Sequence, residues 1–202
     1  MEQFSKKKHS EEIYEELTHK MILAALGYRT EFLTDANDKL SADAAAEIIY
    51  FFMYWFDRTS FQIFNEEKRN EVYIIMRKHV VSGYIKAILK PDTPQHFLDD
   101  LSVRMLKNLN ERQKVYSQCV CCLGTKEWYP FAGTMEFALS FYIYKALGKT
   151  NRDNIENILT GKEKVKKEDL VDLPNYSQTI TDSIFIRNAL NSSKMPKLIK
   201  EL

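Results

Sequence analysis

The hydrophobic positions of this chain recur at the three- and four-residue spacing of amphipathic helices along almost its whole length. Ile13, Leu17 and Met21 show this spacing between Ser10, a favourable helix cap, and Gly27, a favourable helix end. No internal repeat and no pair of strand patterns joined by a hairpin turn is found. The predicted helices span residues 10–26, 42–58, 66–89, 94–123, 134–147, 152–159 and 178–190.

Two of the predicted helices are apolar on nearly every face. Residues 42–58 contain the longest apolar run of the chain, 48–56, and residues 134–147 are similarly rich in aromatic side chains. A helix that is apolar all round is buried. The run 48–56 alone also suits a strand, but the alanines before it favour a helix. The pattern therefore predicts an all-α, single-domain bundle of seven or eight helices packed around these two.

The stretch 108–114 is the opposite case, because it is polar nearly all round within a predicted helix. Such a stretch either faces solvent or meets a polar partner.

The length and charge of the chain narrow the class of protein. The 202 residues suit one domain, for which we expect a flexible arm at 1–9, the helical domain at 10–191 and a basic tail at 192–202. Lys and Arg number 29 against 28 Asp and Glu, and this balance makes nucleic-acid binding an unfavoured function. The nine-residue apolar run is too short for a membrane span of about 20 residues. We expect no secretory signal, because Ser10 and acidic residues follow the basic start.

All three cysteines lie close together, as Cys119, Cys121 and Cys122. An odd number in one cluster does not make a disulfide framework, and free thiols suit the cytosol. Cys119 and Cys122 share a helix face, but a zinc site needs further ligands from elsewhere. We interpret the cysteines as small buried hydrophobic residues near a helix end.

Motifs for metals and cofactors are weak or missing in this sequence. No glycine-rich phosphate loop of either common type occurs. Glu16 and His19 form one Glu-x-x-His motif, whereas di-iron bundles use two of them with two further glutamates. We interpret that pair as surface polar residues and predict no metal and no cofactor.

One histidine and several aromatic residues are the candidates for a binding site. His79 follows Met76 along an apolar stripe of its predicted helix, and Gly83 on the same stripe leaves room for a pocket or for a close helix crossing. The two apolar helices add tyrosines, whose hydroxyl groups need partners when buried. The candidate ligand-binding residues are His79, Tyr54, Trp55, Gly83 and Tyr142. The competing interpretation is one well-filled core.

Three functions remain open from the sequence. The leading hypothesis is a non-enzymatic cytosolic interaction or regulatory protein that acts as a homodimer, since catalytic motifs are missing and apolar helices abound. The alternative is a small-molecule-binding bundle with an apolar, aromatic pocket near His79, between helices 42–58, 66–89 and 134–147. The third is a helical enzyme with His79 as the base.

Overall fold

The computed structural model describes residues 2–120, 133–150, 152, 156–164, 166 and 173–202, with backbone alone for residues 2–7 and 176. Over these ranges the chain forms eight helices and no strand, and a single bridge pairs Val120 with Thr134. The helices are α1 (Glu2–Phe32), α2 (Asp38–Ile63), α3 (Glu66–Ile88), α4 (Gln95–Tyr116), α5 (Met135–Ala146), α6 (Glu156–Leu159), α7 (Tyr176–Ser193) and α8 (Met195–Ile199). The predicted all-α bundle is confirmed.

Helices α2 and α5 pack against each other at the centre, with α1, α3 and α4 around α2 and α7 against both α5 and α1. Phe51, Phe52 and Phe56 of α2 are fully buried, as are Ala138 and Leu139 of α5. The two helices that are apolar all round therefore form the core, as the pattern predicts.

Asparagine side chains begin three of the helices. Asn37, Asn65 and Asn175 each accept a hydrogen bond from the backbone nitrogen three residues later, at 2.8–2.9 Å. This satisfies one of the free N–H groups at each helix start. Helix α2 consequently begins at Asp38, four residues before its predicted start.

The described residues at both ends of the chain are largely helical. Helix α1 begins at Glu2, so the backbone of residues 2–9, the predicted arm, is helical, and the helix continues through Gly27 to Phe32. The basic tail is packed as well, because Met195, Leu198 and Ile199 of α8 are buried and α8 contacts α1 and α2. Burial of these apolar side chains outweighs the polar character of the segment.

Helix α4 ends at Tyr116, seven residues before its predicted end. The backbone nitrogen of Val120 then donates to the carbonyl of Gly133, and the nitrogen of Met135 donates to the carbonyl of Val120.

No helix of the described residues has the length and hydropathy to cross a membrane.

Candidate functional site

A groove of about 740 Å³ runs between α1 and α7. Its wall on α1 consists of Lys20, Leu23, Ala24, Gly27, Glu31 and Phe32. Its wall on α7 includes Thr181, Ile184, Phe185, Asn188, Ala189 and Ser192. On each helix these positions recur every three or four residues, so each wall is one continuous helix face.

The groove exists because small residues line its centre while larger apolar residues stand beside them. A Cβ atom added at Gly27 would meet no other atom within 4 Å, which shows open space above this part of α1. Leu23 and Ile184 are 54% and 48% exposed. An amphipathic helix ordinarily turns such a stripe toward the core. Here the stripe stays uncovered, which is typical of a surface that binds another helix.

Three aromatic rings hold the two walls together. Tyr28, Phe32 and Phe185 contact one another, with ring centroids 5.1–5.7 Å apart. The Tyr28 hydroxyl donates to Oδ1 of Asp182, and the Gln178 amide donates to the same oxygen at 2.7 Å. The groove is therefore fixed on both sides before anything binds in it.

Asp182 itself is fully buried. Burial raises the pKa of the Asp182 carboxyl above its ordinary value, and the hydrogen bonds from Tyr28 and Gln178 only partly oppose this. The charged form of the Asp182 carboxyl is thus disfavoured in the α1–α7 contact.

Opposite charges stand at the two ends of the α1 wall. Lys20 and Glu31 are eleven residues apart, about 17 Å along a helix. Lys20 makes an ion pair with Glu16 at 3.4 Å, an i,i+4 pair worth only a few tenths of a kcal/mol. Glu31 makes no ion pair within the part of the chain that the structure describes. The groove therefore offers a positive end and a negative end to whatever occupies it.

His79 lies on the contact between α3 and α1. Its ring stacks on Tyr14 at 5.6 Å, and Nε2 is 3.3 Å from Oε1 of Glu11. The buried stripe of α3 contains Val80, so His79, one position earlier, is turned about 100° to the side. The cleft beside His79, about 550 Å³, lies between α1 and α3 and is lined mostly by polar residues. This cleft differs from the predicted pocket in its position, which was expected between helices 42–58, 66–89 and 134–147, and in its lining, which was expected to be apolar and aromatic.

Gly83 marks a close crossing of α1 and α3. A Cβ atom there would come within 2.9 Å of Thr18 Cγ2 and Ile22 Cδ1. Gly83 and His79 both line the α1–α3 cleft, so the structure brings these two predicted residues together. His19 lines the same cleft.

Tyr54 and Tyr142 meet through a tyrosine that the sequence did not single out. The ring of Tyr116 lies 5.6 Å from that of Tyr54 and 6.3 Å from that of Tyr142. Trp55 follows Tyr54 on α2, where successive side chains diverge by about 100°, and it is only partly buried. The five predicted residues therefore fall into separate groups and do not form one pocket.

A buried ion pair was also missed at the sequence level. Arg112 donates from Nε and Nη2 to the two carboxylate oxygens of Glu47, both at 2.8 Å. The guanidinium lies 3.6 Å over the Tyr142 ring. The burial of Arg112 would lower its pKa, but the Glu47 carboxylate outweighs this and the pKa lies above its ordinary value. The sequence predicts that the polar stretch 108–114 faces solvent or meets a polar partner. Arg112 in this stretch does meet one, the Glu47 carboxylate.

Two clefts flank this pair. The first, about 200 Å³, lies between α2, α3, α4 and α5, where the sequence predicted a pocket, but Tyr50, Tyr84 and Tyr142 line it and His79 does not. The second, about 300 Å³, lies between α4, α5 and α6.

Cys119 is a structural residue. Its Sγ lies 3.3 Å from the carbonyl oxygens of both Val115 and Leu159, which share its one S–H hydrogen as acceptors. Burial raises the pKa of the Cys119 thiol to about 12, so the thiol is protonated at physiological pH. Cys121 and Cys122 lie outside the described residues. No three His, Cys, Asp or Glu side chains of the described ranges are grouped so as to hold one metal ion.

No protein-family model matches this chain, and neither does any curated protein or solved structure. An all-α bundle carries many unrelated functions, so function has to be argued from the sites on it.

Proposed function

We propose that this protein is a non-enzymatic interaction protein of the cytosol that forms a homodimer through the α1–α7 groove. The observation that carries the proposal is the uncovered apolar stripe on two adjacent helices, with Leu23 and Ile184 about half exposed beside open space at Gly27. Single exposed hydrophobic residues are ordinary, but a lined groove of this size is typical of a binding surface.

The charges along α1 favour a second copy as the occupant. A two-fold axis near residues 25–26 sets two copies of α1 antiparallel, with Lys20 of each copy opposite Glu31 of the other. The same axis sets Ala24 opposite Gly27, so the smallest side chains meet where the helices cross most closely. The α1 wall is therefore self-complementary in both charge and size.

The three aromatic rings between the walls of the groove favour the same function. Because Tyr28, Phe32 and Phe185 are already packed together, the groove loses little conformational freedom when it is filled. The exposed Leu23 and Ile184 side chains then supply the apolar area that drives association.

We place this dimer in the cytosol. The three cysteines are an odd number in one short segment, and Cys119 is held as a buried thiol.

Sedimentation velocity over a concentration series tests the proposal, with wild type compared with Leu23→Glu. The wild type is expected to dimerise with rising concentration. Leu23→Glu is expected to weaken dimerisation about a hundredfold or more, because two apolar contacts are lost and two charges are buried.

Val103→Glu is the matched control, since Val103 is 68% exposed on α4, outside the groove. This variant is expected to dimerise like the wild type. A wild type that stays monomeric at the highest concentration, or equal dimerisation of Leu23→Glu and wild type, would overturn the proposal.

A further inference from the structure

Gly27 occupies a position that disfavours glycine. It lies inside the long helix α1, which continues beyond it to Phe32. Glycine is less favourable in the interior of a helix than any residue except proline, because it loses the most backbone freedom when the helix forms. The φ angle of Gly27 is not in the left-handed region, so the backbone there suits any residue. The local conformation therefore gives no reason for a glycine.

The packing of the described chain gives no reason either. A Cβ atom at Gly27 would have no other atom of the described residues within 4 Å, and the residue is exposed. Gly83 is the opposite case, because a Cβ atom there would come within 2.9 Å of two side chains of α1. A residue that breaks a local preference without compensation in its own fold is expected at a functional position.

The position of Gly27 within the α1–α7 groove indicates what that function is. Gly27 lines the α1 wall one helical turn from Leu23 and one turn from Glu31. The distance between two packed helices is set by the side chains at their contact, so the closest approach is possible where a side chain is missing. The proposed two-fold axis near residues 25–26 sets Gly27 of each copy opposite Ala24 of the other.

We propose that Gly27 is the specificity-determining residue of the dimer, where the backbones of the two α1 helices approach most closely. This inference rests on the proposed homodimer. A larger side chain at position 27 would hold the two α1 helices apart, and the exposed Leu23 and Ile184 side chains would lose contacts across the interface. The glycine thus weakens α1 in the single chain and strengthens the contact between two chains.

Gly27→Ala separates these two effects. Thermal unfolding, at a concentration where sedimentation finds only monomer, is expected to give a Tm about 2–4 °C above that of wild type, because alanine favours the helix and meets no neighbour. Sedimentation velocity at higher concentration is expected to show weaker dimerisation than wild type. A glycine with a purely structural role would not give these opposite changes.

Gly27→Leu and Thr30→Leu give a matched pair of variants. Both positions are exposed on α1, but only Gly27 lines the groove. Gly27→Leu is expected to weaken dimerisation about thirtyfold or more, because the added side chain is overpacked at two equivalent contacts of a symmetric dimer. Thr30→Leu is expected to dimerise like the wild type.

The outcomes separate the role of Gly27 from the dimer itself. A wild type that stays monomeric would overturn the homodimer, and the role of Gly27 with it. If the wild type dimerises, equal dimerisation of Gly27→Leu and wild type would overturn the role of Gly27 alone. Equal weakening by Gly27→Leu and Thr30→Leu would do the same, and so would a monomer Tm of Gly27→Ala that is no higher than that of wild type.

Discussion

Asp182 shows how one buried polar residue fixes the contact between two helices. The carboxyl is fully buried on α7 and receives hydrogen bonds from Tyr28 on α1 and from Gln178. The bond from Tyr28 joins the two helices, whereas Gln178 lies on α7 with Asp182, so the Tyr28 bond helps to fix the register in which the groove walls meet. The raised pKa of the Asp182 carboxyl reflects the cost of burying its charged form.

This raised pKa predicts a pH-dependent stability. The folded state keeps the Asp182 proton to higher pH than the unfolded state, so the contribution of this residue falls as pH rises from about 4 through the raised pKa. Asp182→Asn keeps an oxygen for both donors and carries no charge. The free energy of unfolding of Asp182→Asn, measured by urea denaturation, should therefore rise relative to that of wild type between pH 4 and pH 7.

Asp92→Asn is the control, because Asp92 is exposed in the turn after α3. The free energy of unfolding of Asp92→Asn should not rise relative to that of wild type between pH 4 and pH 7. A stability difference between Asp182→Asn and wild type that stays constant with pH would contradict the proposed penalty.

Two bidentate ion pairs join α2 to the neighbouring helices α3 and α4. Arg69 of α3 donates to both oxygens of Asp57 on α2, at 2.8 and 2.7 Å, and Arg112 of α4 does the same to Glu47 on α2. Each pair fixes how one helix is rotated against α2, because a guanidinium and a carboxylate fit in only one planar arrangement.

Glu47→Gln is expected to destabilise the protein by about 3–5 kcal/mol, because it leaves the Arg112 charge buried without its partner. Asp43→Asn provides the comparison, since Asp43 and Arg104 join the same two helices by a pair that is more exposed and 3.6 Å long. That variant should change the free energy of unfolding by about 1 kcal/mol at most. Urea denaturation measures both, and equal losses would contradict the distinction between the buried and the exposed pair.

The positions of the core helices could be predicted from the sequence, but several helix ends could not. Residues 42–58 and 134–147 are apolar on all faces, which leaves few possibilities other than burial. Gly27 suggested the end of α1, yet the helix continues because Ala25 and Tyr28 on either side of it are buried. The packing of neighbouring residues outweighed the local preference of one glycine.

At the scale of the molecule, the groove could not be recognised from the sequence. Leu23 and Ile184 stand at helical spacing like residues of the core, and only the tertiary packing shows that nothing covers them. The surroundings of His79 could not be predicted for the same reason, since the side of α3 that carries His79 faces α1. Periodicity identifies a helix face but does not tell which neighbour meets it.

The central claim is that two copies meet with Lys20 of each opposite Glu31 of the other. Lys20→Glu alone sets Glu against Glu, and Glu31→Lys alone sets Lys against Lys, so each variant should dimerise more weakly than wild type. A mixture of the two restores both attractive pairs. Sedimentation equilibrium should therefore find a species of about 47 kDa, twice the 23.7 kDa of one chain, in the mixture and much less of it in either variant alone. A mixture that associates no more than its two components would contradict the proposed dimer.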